Sequence, residues 1–286
     1  MKRFAALLGL IFILAGCAPQ PQAQIAATTL PVYEFTTRLC EGTGITVTRL
    51  VTESVSCLHD YSLSVRQVKA AEAAEVVVIS GAGLEAFMHD VLQDTAAIDA
   101  SQGIHLLGCE EHHEDDHGHH HDADPHLWLS PAHAKAMAQN ICAGLQVRYP
   151  AHATAFAANL EGLNGDLDAL QDYGESQLRS LSTRELITFH DGFAYFAEAF
   201  GLTILEAVEE ESGSEASAAE LKHLITLVRT HDLPAIFTER SGSVSAAGVI
   251  SSETGAEIFA LDMAMAGNSY FEAMYHNIDT LKEALQ

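Results

Sequence analysis

Val76-Val-Val-Ile-Ser80 is a continuous apolar run, set between a helical pattern over Val65 to Ala74 and the turn Gly81-Ala82-Gly83. A short apolar run bounded by helices fits a parallel strand buried on both faces. Upstream, Ile25-Ala-Ala-Thr-Thr-Leu30 reads as a short strand, Pro31 opens a helix through about Leu39, and Ile45 to Val51 alternates like a strand. Downstream, Ser130-Pro131 caps a helix running to about Arg148, with proline in its first turn. Pro150 breaks that helix, and a second helical stretch follows from Ala151 to about Leu181. Some thirty helical residues span roughly 45 Å, enough for a spine between two lobes. Gly162, Gly165 and Gly174 argue against perfect continuity.

The alternation then resumes. Strands are expected over Glu185 to Phe189, Leu202 to Ala207, Ala235 to Thr238 and Glu257 to Leu261. Helices are expected up to Phe200, over Ala218 to Thr230 and over Ser245 to Thr254. Strands alternating with helices predict an α/β protein: two lobes with parallel-type sheets flanked by helices and joined by a long rigid helix. The implied segments are 25–150 for the first lobe, 151–182 for the linking helix and 183–286 for the second lobe.

The first residues read differently. Lys2-Arg3 precedes an apolar run from Phe4 to Leu14, too short for a permanent bilayer span, and Leu14-Ala-Gly-Cys17 follows. Residues 1–16 are therefore expected to be a signal peptide. Leu-Ala-Gly-Cys resembles the lipobox of bacterial lipoproteins, which implies a lipid on Cys17. Residues 17–24, polar and interrupted by prolines, suit a tether. The expected location is extracytoplasmic, attached to the cell membrane. The chain of 286 residues carries a formal net charge of −25, which argues against nucleic-acid binding. Behind an export signal, Cys40, Cys57, Cys109 and Cys142 suggest disulfides, with the pairing open. Cys57 has a rival reading as a soft metal ligand.

In α/β folds ligands bind beyond the carboxyl ends of the strands. His59, in Ser56-Cys-Leu-His-Asp-Tyr61, follows the strand ending near Val51, and His126 sits just before the capped middle helix. His190 and Asp262 directly follow strands of the second half. Three imidazoles and one carboxylate suit a borderline divalent metal held in the cleft between the lobes. Asp60, Asp124 and Asp191 lie within two residues of a proposed ligand and can accept an imidazole N–H. A single histidine in such a chain is more often a surface or packing residue, and His89, His105, His133, His152, His223, His231 and His276 are read that way. The glycines of Gly81-Ala-Gly83 are read as a turn, and Ser241-Gly-Ser243 lacks a nucleophile elbow.

Cys57-Leu-His-Asp-Tyr, Asp124-Pro-His-Leu-Trp-Leu-Ser-Pro131 and Phe189-His-Asp-Gly-Phe-Ala-Tyr-Phe-Ala197 resemble, in order and spacing, the metal-binding lipoproteins of bacterial zinc and manganese ABC importers. Leu261-Asp-Met and Tyr270 to Asn277 look like that family's carboxy-terminal end. The resemblance implies two α/β lobes with the metal between them and His59, His126, His190 and Asp262 in the liganding positions. It also implies a monomer that hands its ion to a membrane permease, and a binding protein rather than an enzyme. Two positions depart from it. Met263 and Arg240 stand where the family often has proline, leaving Glu239 or a water as rivals to Asp262 for the fourth ligand. Manganese-selective relatives tend to carry a carboxylate where this chain has His190, so the third imidazole points to Zn2+.

The segment 110–122 has no apolar residue to bury, so a mobile loop is expected. It resembles the histidine-rich loop of the zinc-importing members. His112, His113, His117, His119, His120 and His121 are candidates for a secondary, looser zinc site. The rival readings are a manganese-binding member of the same family, a metal-dependent hydrolase and an adhesin or metal store without an importer. No compact hydrolase motif appears.

Overall fold

The computed structural model describes residues 23–53, 58, 61–108, 123–208, 216–240 and 244–286. The first half contains β1 (Ile25–Ala27), α1 (Leu30–Leu39), β2 (Val47–Arg49), α2 (Val65–Ala73), β3 (Val76–Ile79), α3 (His89–Gln93) and β4 (Ala97–Asp99). Two helices follow, α4 (Pro131–Arg148) and α5 (Ala153–Gln177). The second half contains β5 (Glu185–Thr188), α6 (Ala194–Phe200), β6 (Thr203–Ala207), α7 (Ala218–His231), β7 (Ala235–Glu239), α8 (Ser245–Thr254), β8 (Glu257–Leu261) and α9 (Tyr270–Leu285).

Each half folds into a four-stranded parallel sheet, ordered β2-β1-β3-β4 in the first and β6-β5-β7-β8 in the second. The expected α/β architecture with two parallel sheets is thus present. Burial follows strand position. Central β1 and β7 are buried throughout, whereas the edge strands β6 and β8 are largely exposed or half-buried. Strand order reverses between β1 and β3 and again between β5 and β7, opening a crevice at the carboxyl ends of those central strands.

Local chemistry sets the helix boundaries. The Ser130 hydroxyl caps α4 with Pro131 in the first turn. Ser64 with Gln67, and Ser217 with Glu220, form capping boxes at the starts of α2 and α7. α5 is one uninterrupted helix of 25 residues, about 38 Å long, starting after a 3-10 turn over Pro150–His152. It is shorter than the thirty-odd residues expected. Of its glycines, Gly174 has a packing role, since a Cβ there would lie 2.2 Å from the Phe200 ring.

α5 packs on α4, α1 and α9, and one large core runs through both halves, with Phe35, Trp128, Tyr195 and Tyr270 all inside it. Buried hydrogen bonds cross the same seam. The Trp128 indole donates to Met263 O at 2.8 Å, and the Tyr270 hydroxyl donates to Trp128 O at 2.8 Å. Glu34 on α1 accepts from Tyr270 N at 2.5 Å, at the start of α9. Relative motion of the halves would have to break these contacts, so the joint is stiff.

The disulfide expectation fails for two of its cysteines. Cys40 and Cys142 are buried free thiols, and burial pushes Cys40 up to about 12. Cys57 and Cys109 lie outside the described residues. So do the proposed signal peptide with Cys17 and most of the tether. No helix among the described residues is long and apolar enough to cross a membrane.

Candidate metal centre

His126 is held by its own sequence neighbourhood. Asp124 Oδ1 accepts from the His126 backbone N–H at 2.9 Å and meets Nδ1 at 2.8 Å. A carboxylate in that place fixes the proton on Nδ1 and leaves the Nε2 lone pair for an ion. The Trp128 ring packs against the imidazole edge-on, with centroids 5.3 Å apart. The Tyr195 hydroxyl donates to Asp124 O at 3.0 Å and accepts from Leu107 N at 2.8 Å, bracing the loop from α6. The His126 side chain is 8% exposed.

His190 arrives from the other sheet, two residues beyond the end of β5. Its ring meets that of His126 at a centroid distance of 5.3 Å and an interplanar angle of 84°. Its Nδ1 lies 3.3 Å from Glu239 Oε1 at the end of β7. Thr188 donates to the His190 carbonyl at 3.1 Å. Close packing also fixes the ring. A Cβ on Gly192 would fall 2.7 Å from His190 Cδ2, 2.9 Å from its Nε2 and 2.6 Å from Met263 Cε. Only glycine lets the chain pass so near the imidazole.

Two carboxylates complete the neighbourhood. Glu239 is 5% exposed, and its pKa rises to about 8, through burial first and the charge of Asp262 second. Asp262 follows β8, and its backbone is clamped by Asn277, which accepts from Asp262 N and donates to Asp262 O, both at 2.7 Å. Its carboxylate is engaged at both oxygens, Oδ1 by Ala264 N at 2.8 Å and Oδ2 by Arg240 Nη1 at 3.0 Å.

Of the four expected ligands, His126 and His190 come together, and Asp262 stands beside Glu239 with its oxygens turned to other partners. His59 lies outside the described residues, as do His112, His113, His117, His119, His120 and His121. Among the described residues, no group of three or more His, Cys, Asp or Glu side chains is placed to hold an ion. Sequence reading singled out Asp124 as an imidazole acceptor and Glu239 as a rival ligand. It missed Gly192, Asn277 and the engagement of Asp262 by Arg240. Gly192 and Asn277 lie within motifs quoted for the resemblance, yet only close packing reveals their roles.

A family profile described as zinc-uptake complex component A, periplasmic, matches residues 25–284. The chain belongs to this family. Against a putative metal-binding protein of Treponema pallidum it is 29% identical, over 98% of this chain and 95% of that one. Against the zinc-binding lipoprotein AdcA of Streptococcus pneumoniae it is 28% identical over 99% of its own length, and spans 61% of that protein's length. A crystal structure of ZnuA superposes with a TM-score of 0.79 at 29% identity, covering 92% of this chain and 100% of that one. In this zinc-uptake component His126 precedes α4 and His190 follows β5 of the second sheet.

Proposed function

We propose that His59, His126, His190 and Asp262 bind one Zn2+ in the cleft and that the loaded protein passes it to the permease of an ABC importer. One observation carries this reading. Two imidazoles, one from the loop before α4 and one from beyond β5, face each other across 5.3 Å, with His126 Nδ1 on Asp124 and His190 Nδ1 3.3 Å from Glu239. At His126 the contact with Asp124 leaves Nε2 as the donor, and neutral imidazole nitrogen suits zinc. Family membership, with a relative named as a zinc-binding lipoprotein, supports the choice of metal. Glu239 sits 3.3 Å from His190 Nδ1, where it orients the ring, and Asp262 remains the fourth ligand in this reading. The segment 110–122 acts as a loose collector of the same ion. Cys17 carries the lipid that keeps the protein at the membrane.

Capture displaces protons from the site, so acid weakens binding. The stiff seam around Trp128 and Tyr270 favours small movements over wide closure. The test is zinc titration of a soluble form beginning at Gln22 and lacking residues 110–122. His126→Ala and His190→Ala should each lose at least a hundredfold in affinity, and His59→Ala should do the same. Tight binding retained by these variants would remove the cleft assignment. Zinc-dependent hydrolysis of an ester or phosphoester, abolished by His126→Ala, would move the site into an enzyme class.

A further inference from the structure

Arg240 stands at a position where the resemblance noted in the sequence would put proline. Its backbone N–H donates to Leu261 O at 3.0 Å, carrying the pairing of β7 and β8 one residue past the end of β7. A proline has no such donor. That pairing sets the Arg240 stem beside Asp262, and Nη1 reaches Oδ2 at 3.0 Å. The guanidinium is 58% exposed while the Asp262 side chain is only 17% exposed. One partner is therefore free to swing into water, and the other is fixed by Asn277 and Ala264.

We propose that Arg240 is a displaceable counter-cation: it occupies Asp262 Oδ2 in the cargo-free protein and must withdraw before that oxygen can ligate the ion. The inference rests on Asp262 being a ligand, as argued under the proposed function. Two features beyond simple proximity point to it. Glu239 ends β7 and Asp262 follows β8, so two acidic side chains stand side by side, and that of Asp262 is largely shielded from water. In the cargo-free protein the positive group beside the Asp262 carboxylate is Arg240. The group supplied is tethered by a long flexible stem and half in solvent, which suits repeated exchange. Arg240 is a positioning residue, acting on the ion only through Asp262, and it lowers affinity so that release stays easy.

An exposed ion pair is a weak competitor, so removing it should tighten zinc binding by about threefold to tenfold. Four proteins are compared: wild type, Arg240→Gln, Asp262→Asn and the double variant. Zinc affinity is measured by chelator competition and release by stopped-flow mixing with excess chelator. Arg240→Gln should bind zinc more tightly and release it more slowly, and the gain should vanish in the Asp262→Asn background. Unchanged or weaker binding in Arg240→Gln, with Asp262→Asn still losing affinity, overturns the inference and leaves the site standing. A gain that persists with Asp262→Asn reduces Arg240 to plain charge repulsion and also overturns it. If Asp262→Asn binds zinc like wild type, the ligand assignment itself fails and the inference with it.

Discussion

The two sheets share one strand order, yet their reversal points are finished in opposite ways. Beyond β1 and β3 the crevice is closed by a satisfied polar network. Glu85, fully buried, accepts from the Thr28 hydroxyl and Ser80 N at 2.7 Å and from Gly81 N at 3.0 Å, while Thr29 pairs with Ser80 at 2.8 Å. Beyond β5 and β7 the equivalent glutamate is left unsettled. Among the described residues, Glu239 Oε1 accepts no hydrogen bond, and its neighbours are an imidazole and a second carboxylate. Both glutamates are buried and both have raised pKa values, with burial the largest cause. The contrast lies in the partners. One end spends its polar groups on holding the chain, and the other leaves a buried glutamate oxygen without a hydrogen bond.

The sharpest break of that contrast is Glu85→Ala. It strands the Thr28 hydroxyl and two backbone N–H groups in a dry site, at about 1–3 kcal/mol each. Chemical denaturation should show a loss of roughly 3–6 kcal/mol, while the zinc stoichiometry of the remaining folded protein stays unchanged. A loss below about 1 kcal/mol would mean that water relieves the stranded groups, and the first crevice would not be a structural plug.

Next in size is the pH dependence that Glu239 imposes. Its pKa in the folded protein is raised from 4.5 to about 8, so the native state holds a proton that the unfolded chain has already released. Stability from this group is fully present below pH 4.5 and drains away as pH rises toward 8. Glu239→Gln cannot ionise. In chelator-treated protein it should gain on wild type by roughly 3 kcal/mol between pH 5 and pH 8, one unit being worth about 1.4. Parallel profiles for the two proteins would show that Glu239 is already ionised and that the two ends of the molecule do not differ in this respect.

How much of this was legible depended on how local the signal was. Ser130-Pro131 carries the start of α4 within two residues, so the sequence placed that helix accurately. Ala97-Ile98-Asp99 forms β4 with only Ile98 buried, and three residues give no period to read. α9 has apolar positions at Tyr270, Met274, Ile278, Leu281 and Leu285, a helical spacing that was read only as family likeness. Cysteine counting failed because Cys40 and Cys142 serve as apolar filling in the main core. At the site, strand ends located His190 and Asp262, since chain order fixes where a strand stops. Side-chain direction was not legible. Nothing in the sequence reveals that Arg240 takes Asp262 Oδ2 or that Glu239 faces His190, because both depend on the pairing of β7 with β5 and β8.

The smallest effect separates a ring held by hydrogen bonds from a ring held by packing. His126 is oriented by Asp124 at 2.8 Å, whereas the contact of His190 with Glu239 is looser at 3.3 Å. Packing supplies the remaining constraint on His190, through Gly192 and Met263. Gly192→Ala sets a methyl carbon within 3 Å of the imidazole and of the Met263 thioether end. The methionine is flexible and can yield, but the ring can only turn, which moves Nε2 off its line to the ion. Zinc affinity should fall about tenfold, equivalent to about 1.4 kcal/mol, with little change in the melting of the zinc-free protein. Adding Met263→Ala should recover part of the loss by giving the ring room. If Gly192→Ala binds zinc as wild type does, the His190 ring tolerates displacement, and Glu239 must position it alone.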